Sequence, residues 1–591
     1  MKAWTLPRGV LFAVALTLST PAAARAGFED VLPEDCLIFV GVDDLEQLEA
    51  DFGKTAWGRL LADPELTSFK DWARNFYAEA GSAAEAEAGA NPFELLDMIS
   101  GSAACFLLDL ADPDIPASGG GEPTLAFGLM VGVGDRGEDV LALIDTLLTR
   151  PIESGEAIRT YEQESGVEIA VIREVEEDER GRQEVRYAVA DGTFVALMES
   201  EELVAQGRFA RLLEGLAGEG QAALSQTAGF AESPAGATDG GLSMFVDLER
   251  LIGRLLELAR SQGEVNEEAE AVIEALSPTD LRRLSANLTL SEEGTLVDFA
   301  IDWNGQGHIL RFLQALFGRG PFQTAGLMPG ELLSANLFHI DLLAALDAGL
   351  AAAREIAPEE ADGIAATIEM TFQQEDFNVK DALLANLAGE VGFFTARIQD
   401  DLDALPGTEE DPQNFAVLIR LRNGSQVETA LDGLLRSQGL HATRKREEFQ
   451  GHTFYSMPMP FVGGKIRYAV LEDLLAISLS AELIQDVLRR HGDSNLPTLA
   501  SKEEFHDSLA ALGGGELTSA GYQNASASIE ALIEGLSTVL STGDFSGMGI
   551  DVDVEGLQLP SPELAKKYFE GANVSAITVD ENGIRLRSSG P

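Results

Sequence analysis

The chain has 591 residues, of which 98 are acidic and 41 basic, so its formal net charge is −57. A charge of that size keeps a folded chain dispersed and repels phosphate backbones, which argues against nucleic acid as a partner. Hydrophobic residues make up 45% of the sequence, including 29 phenylalanines. This content excludes wholesale disorder, and a chain of this length is expected to form at least two domains.

The N-terminus has the layout of a secretory signal. Lys2 and Arg8 precede an apolar run at 10–18, and small residues follow up to an Ala-Arg-Ala sequence that ends at Ala26. This pattern predicts a signal peptide over residues 1–26, cleaved near Ala26, and an exported product that is periplasmic or extracellular. No later stretch reaches eighteen apolar residues without a charge, so we do not expect an integral membrane protein.

A short apolar strand that runs into a helix through a polar capping residue occurs four times. The expected capping residues are Asp43 or Asp44, Asp247, Asp341 and Asn524. A carboxylate or amide at this junction accepts hydrogen bonds from backbone donors that the first helical turn leaves unpaired. The pattern therefore has a structural cause and requires no chemistry.

The sequence also repeats itself on a longer scale. The helical segment VLALIDTLL at 140–148 is matched by VETALDGLL at 427–435, and the block that begins at Arg186 is matched by one that begins at Arg467. Five such landmarks recur in the same order, about 280 to 300 residues apart. This order predicts two homologous domains, roughly 28–320 and 321–591.

Strand segments follow one another with only short turns between residues 157 and 197, which favours antiparallel hairpins. Helical segments with apolar stripes would cover the dry face of such a sheet. The predicted fold class is α+β, with two homologous domains that each contain a mostly antiparallel, extended sheet covered on one face by helices.

Cys36 and Cys105 are the two cysteines, and both fall in predicted strands of the first half. A disulfide between them requires neighbouring strands with Cα atoms within about 7 Å, and two buried thiols are the alternative. All six histidines lie beyond residue 300, so a cysteine–histidine nucleophile is not indicated.

Other functional motifs are scarce, and the sequence predicts no catalytic residue and no cofactor. Asp551, Asp553 and Glu555 alternate along one segment and are a candidate Ca²⁺ site, with a solvated strand face as the other interpretation. An apolar hairpin tip is the best candidate for a contact surface, unless it packs against the companion domain; its residues are Pro458, Pro460, Phe461 and Val462.

Three segments of the first half resemble a widespread family of exported bacterial proteins known as a domain of unknown function. They are LPEDCLIFVGVDDLEQL at 32–48, TAWGRLLADPELTSF at 55–69 and RYAVADGTFVALMESEELV at 186–204. Members of that family typically carry a Gly-Arg-Leu stretch and an Asp-Pro pair, here at 58–60 and 63–64. The second half matches more loosely. The resemblance implies export and the strand–helix architecture, and it carries no catalytic residues.

Three functions remain open at this point. The first is a non-enzymatic envelope or extracellular protein with a binding or scaffolding role, whose partner is an unknown protein or an apolar ligand. The second is a carrier of a lipid-like ligand in a cavity between sheet and helices. Segment 312–322 and the pair Phe393-Phe394 are candidate lining for it, and packing in the core explains these phenylalanines at least as well. The third is a hydrolase whose site does not show in the sequence.

Overall fold

The computed structural model describes residues 27–591 except for 111–124, 176–182, 221, 238–240, 262, 264, 306, 374–377, 398–412, 459–464 and 543–558. Three predictions fall outside the described residues: the signal peptide at 1–26, the candidate Ca²⁺ site at 551–555, and the hairpin tip beyond Pro458. The described chain forms two compact units. The first comprises 27–269, 281–302 and 535–564, and the second comprises 270–280, 303–534 and 565–591.

The first unit is built on a sheet whose strands run in the spatial order β4-β5-β6-β7-β3-β2-β1-β8-β9-β10. The pairs from β4 to β9 are all antiparallel. The strands are β1 (Ile38–Val42), β2 (Ala103–Leu110), β3 (Leu125–Gly132), β4 (Ala157–Glu164), β5 (Val167–Glu174), β6 (Gln183–Ala190), β7 (Thr193–Ser200), β8 (Leu242–Asp247), β9 (Leu281–Ser291) and β10 (Gly294–Trp303).

The second unit has a sheet with the spatial order β14-β15-β16-β17-β13-β12-β11-β18-β19-β20, again antiparallel throughout. Its order is the same as that of the first sheet, strand for strand. The strands are β11 (Ser334–His339), β12 (Leu387–Arg397), β13 (Gln413–Leu421), β14 (Lys445–Phe449), β15 (His452–Pro458), β16 (Lys465–Val470), β17 (Leu474–Ser478), β18 (Ser519–Asn524), β19 (Ala572–Val579) and β20 (Gly583–Gly590).

Helices connect and cover these strands. In chain order they are α1 (Leu45–Lys54), α2 (Ala56–Ala62), α3 (Thr67–Ala88), α4 (Gly137–Glu153), α5 (Glu201–Val204), α6 (Arg208–Leu216), α7 (Ala228–Ala231), α8 (Leu248–Ser261), α9 (Glu267–Leu276), α10 (His308–Leu316), α11 (Leu342–Ile356), α12 (Pro358–Phe372), α13 (Val379–Ala382), α14 (Gly424–Ser437), α15 (Ala481–Gly492), α16 (Glu503–Ala511), α17 (Ala525–Thr542) and α18 (Pro562–Lys566). Within the described ranges, none of them combines the length and the hydropathy that crossing a bilayer requires.

The predicted helix caps are confirmed at all four strand-to-helix junctions. Each capping oxygen accepts a hydrogen bond from the backbone N–H three residues later, at 2.9 to 3.0 Å, and the residues are Asp44, Asp247, Asp341 and Asn524. Strands β1 and β8 are neighbours in the first sheet, as are β11 and β18 in the second. The capped junctions therefore flank the same adjacent strand pair in each unit.

The α+β class and the antiparallel sheets are confirmed, and helices cover both faces of each sheet rather than one. In the first unit, Phe209 of α6 packs on the face that carries Phe106, whereas Val140 of α4 packs on the face that carries Leu129. In the second unit, α15 covers one face of the sheet and α14 covers the other. The cause is visible in β2 and β7, whose residues are buried at nearly every position, as in strands covered on both sides.

Candidate functional site

The two cysteines are free thiols, as in the alternative with no disulfide. Cys36 belongs to the core on the α6 face of the first sheet, whereas Cys105 packs against the core on the α4 face. Their side chains therefore point to opposite faces of the sheet, and the residue opposite Cys105 on β1 is Val40. Burial raises the pKa of both thiols, that of Cys105 to about 11, so neither is an activated nucleophile.

An aspartate, an arginine and a tyrosine meet in the first unit, where they join α4 to the sheet. Arg159 of β4 forms an ion pair with Asp145 of α4, and the hydroxyl of Tyr187 on β6 donates to the same carboxylate at 3.4 Å. Burial raises the pKa of Tyr187 to about 12, which keeps the phenol neutral at physiological pH.

The second unit repeats this constellation with the equivalent residues. Arg444, one residue before β14, pairs with Asp432 of α14 and donates to the hydroxyl of Tyr468 on β16 at 3.0 Å. The guanidinium also lies over the ring of Tyr455, 4.1 Å from its centroid. Because each set links one helix to the strands beneath it, its role is structural. The sequence comparison of the two halves had paired the helices that carry the aspartates and the blocks that carry the tyrosines. It had not paired Arg159 with Arg444.

A second group of charged side chains is buried in the first unit, and we call it the buried charge cluster. Its central members are Glu184 and Glu199, which face each other directly across β6 and β7. The Glu184 carboxylate accepts hydrogen bonds from Nε of Arg173 at 2.6 Å and Nε of Arg186 at 2.5 Å. Two carboxylates in direct opposition repel each other unless one is neutral or paired.

Glu199 is the member whose charge is not compensated by contacts. Its side chain is fully buried, and neither carboxylate oxygen has a hydrogen-bond partner among the described residues. Burial raises its pKa to about 7, and the electrostatic attraction of Arg208 and Arg186 offsets this only in part. The carboxyl therefore binds and releases a proton near neutral pH.

The remaining members of the buried charge cluster fix the surroundings of Glu199. Arg208 of α6 forms an ion pair with Asp109 of β2 and donates to Oε1 of Gln206 at 2.6 Å. Arg254 of α8 approaches the second oxygen of Asp109 at 3.5 Å. The cluster thus ties α6 and α8 to one end of β2. At the position of the second unit that matches Glu184, the sequence has Lys465 instead of a carboxylate.

A cleft of about 310 Å³ lies between α11 and α12 in the second unit, near the start of α13. Its apolar lining consists of Leu346, Leu350, Ala365, Ile368 and Phe372. Its polar lining consists of Asp347, Arg354, Glu369, Asn378 and Lys380. The cleft therefore offers apolar walls together with side chains of both charges.

The charged side chains at the cleft are unevenly paired. Nζ of Lys380 lies 2.9 Å from Oδ1 of Asp347, and Nε of Arg354 lies 3.9 Å from Oδ1 of Asp362 on the next helix. Both cations thus already have a carboxylate partner. Glu369 has no ion pair within the described part of the chain. Its carboxylate is therefore the one negative charge of the described cleft lining that no cation pairs with.

The phenylalanines that the sequence singled out do not line this cleft. Phe394 is in the core on the α15 side of the second sheet, Phe322 packs against that core, and Phe393 and Phe312 are partly exposed elsewhere. The aromatic side chain at the cleft is Phe372, which the sequence gave no reason to choose. Across the described ranges, no group of three or more His, Cys, Asp or Glu side chains is placed to hold a metal ion.

These features define an α+β protein with two antiparallel sheets of equal strand order. No protein-family model matches the chain, and no curated protein matches it. Among solved structures, it is similar to crystal form III of TP0453, with a TM-score of 0.23, 10% identity, and coverage of 51% of this chain and 90% of that one. Crystal form I of TP0453 gives a TM-score of 0.22, 9% identity, and coverage of 50% and 88%. Scores this low support no functional argument.

Proposed function

We propose that this protein is an exported, non-enzymatic binding protein that holds an apolar, lipid-like ligand in the cleft of its second unit. The observation that carries the proposal is the cleft between α11 and α12, with its five apolar side chains. Small-molecule sites typically enclose about 300 to 1,000 Å³ and are lined mainly by hydrophobic groups. At about 310 Å³ the cleft lies at the lower end of this range, which suits a single hydrocarbon chain.

Exposed apolar side chains on the same two helices support the proposal. Met370 is 73% exposed, Ile364 49% and Leu342 47%. Isolated exposed hydrophobic residues are ordinary, but several on the helices that form one cleft are typical of a surface that meets an apolar partner.

A scaffolding role is the second candidate, and the edge of the first sheet favours it. Among the described strands, β4 pairs only with β5, and it exposes Ile158 and Tyr161. The corresponding edge strand of the second sheet, β14, begins Lys-Arg-Glu-Glu, the kind of charged edge that resists pairing with another chain. Strand β4 is thus the better candidate to add a strand from a partner protein.

Duplication and export belong to the same proposal. A common ancestor for regions 28–320 and 321–591 is supported by the equal strand order and by the repeated Asp–Arg–Tyr constellation. Export to the periplasm or the medium is supported by the signal-like residues 1–26 and by the resemblance to an exported family.

The binding proposal is tested with N-phenyl-1-naphthylamine, an uncharged probe whose fluorescence increases in apolar surroundings. The mature chain should bind it saturably, and Ile368→Glu should weaken binding at least about ten-fold because it places a charge inside the apolar lining. Leu255→Glu on α8 is the matched control, since Leu255 is 48% exposed and lies in the first unit. Equal binding by both variants, or no saturable binding by the parent chain, would show that the cleft is not the site.

A further inference from the structure

We propose that the cleft selects ligands with a cationic head group, an amine or quaternary ammonium on a single hydrocarbon chain. This inference rests on the proposed binding of an apolar chain between α11 and α12. It concerns the polar end of the ligand, which the apolar lining does not specify.

The first argument is the local charge at the cleft. Lys380 is paired with Asp347, and Arg354 with Asp362, so each of these pairs is close to neutral. Glu369 lines the cleft without such a partner among the described residues. A cationic head group beside Glu369 completes a third pair, whereas an anionic one meets a carboxylate or must displace Asp347 from Lys380.

The second argument is the field around the site. Besides the paired Asp362, the exposed acidic side chains of α11 and α12 include Glu355 and Glu360. The whole chain carries −57, which attracts cations and repels anions over distances of about one Debye length, ~10 Å at 0.1 M salt. Local and long-range electrostatics therefore favour the same sign of ligand charge.

The third argument is the aromatic ring in the lining. Phe372 is the one aromatic side chain among the described residues that line the cleft. Ammonium groups, quaternary ones in particular, are attracted to aromatic faces by the ring quadrupole. Neither an anionic nor an uncharged head group gains from this contact.

The experiment compares amphiphiles with a twelve-carbon chain, each below its critical micelle concentration, as competitors of N-phenyl-1-naphthylamine. The probes are dodecyltrimethylammonium, dodecylphosphocholine, dodecyl maltoside and laurate. We expect the ammonium compound to bind about five-fold or more tightly than the maltoside at low salt, and the difference to shrink in high salt.

Glu369→Gln isolates the head-group contact from the apolar one. It should reduce the ratio of the maltoside and dodecyltrimethylammonium dissociation constants about two- to five-fold, with each constant corrected for the variant's own affinity for the naphthylamine. Glu138→Gln on α4 is the matched control, because it removes the same charge from an exposed helical position in the first unit.

The outcomes separate this inference from the proposed function. Equal competition by all four amphiphiles, or stronger competition by laurate, overturns the cationic preference and leaves apolar binding intact. An unchanged preference in Glu369→Gln also overturns it. If the naphthylamine itself does not bind saturably, the proposed function fails before the head group is considered.

Discussion

At the scale of single residues, Glu199 is the side chain whose protonation has the clearest physical consequence. Its pKa in the folded chain is raised to about 7 from an ordinary value of 4.5, mainly by burial. The folded state therefore binds a proton more tightly than the unfolded state does. The stability that Glu199 contributes is fully present below about pH 4.5 and is lost as the pH rises through about 7, above which the loss is constant.

Glu199→Gln should remove this pH dependence, since the amide cannot ionise. Relative to the parent chain, the variant should gain on the order of 1 to 3 kcal/mol in the free energy of unfolding on going from pH 5 to pH 8. Comparing the two pH values cancels the fixed effect of placing an amide at this site. Denaturant unfolding at each pH measures the difference.

The exposed Glu138→Gln substitution again serves as the control and should change stability equally at both pH values. Parallel pH profiles for the parent chain and Glu199→Gln would contradict the assignment of a raised pKa to Glu199. They would indicate that the residue is ionised and compensated within the buried charge cluster.

At the scale of the elements, the strand-to-helix junctions test how much of the fold depends on local side chains. Asp44 caps α1, because its Oδ1 accepts from the Gln47 N–H at 2.9 Å. Its neighbour Asp43 makes no such cap, and burial together with the nearby Asp30 and Asp44 raises its pKa.

Asp44→Ala should therefore lower the free energy of unfolding by about 1 kcal/mol, the usual cost of losing an N-cap. Asp43→Ala is a matched change one residue away and should cost less, since it also relieves repulsion between neighbouring carboxylates. Thermal or denaturant unfolding of the two variants measures which substitution costs more stability. A larger loss for Asp43→Ala would mean that the helix begins one residue earlier.

Local features of the fold could be predicted from the sequence, whereas features that depend on the packing of the sheets could not. The caps at Asp247, Asp341 and Asn524 were predictable because donor and acceptor lie three residues apart. The state of Cys36 and Cys105 was not, since it depends on which face of the sheet each side chain takes. Alternation is informative only when one face is wet, and the central strands here are buried on both.

The residues of the candidate sites could not be predicted from the sequence because they lie far apart along the chain. In the buried charge cluster, Arg208 contacts Asp109, which lies 99 residues away in the sequence. No local sequence pattern predicts such a contact. The cleft is assembled from ordinary amphipathic helices, so Ile368 and Phe372 look like any core residues. The proposed duplication could be inferred because similar segments recur along the sequence. The correspondence of Arg159 and Arg444 could be recognised only from the positions of their strands.

At the scale of the whole molecule, the net charge of −57 sets the response to salt. Bringing so many like charges together destabilises the folded chain through self-repulsion. Added salt shortens the range of that repulsion and so weakens it. We therefore expect the free energy of unfolding to rise as NaCl increases from about 10 mM to about 150 mM, over which the Debye length falls from ~30 to ~8 Å.

The same titration near pH 5 provides the control, because the chain is then close to its pI of about 4.3 and carries less charge. Screening has less repulsion to remove there, so the increase in stability should be smaller. A salt effect of equal size at pH 5 and pH 8 would point instead to specific ion binding or to preferential exclusion of the salt. A decrease with salt would mean that attractive ion pairs such as Lys380–Asp347 outweigh the global repulsion.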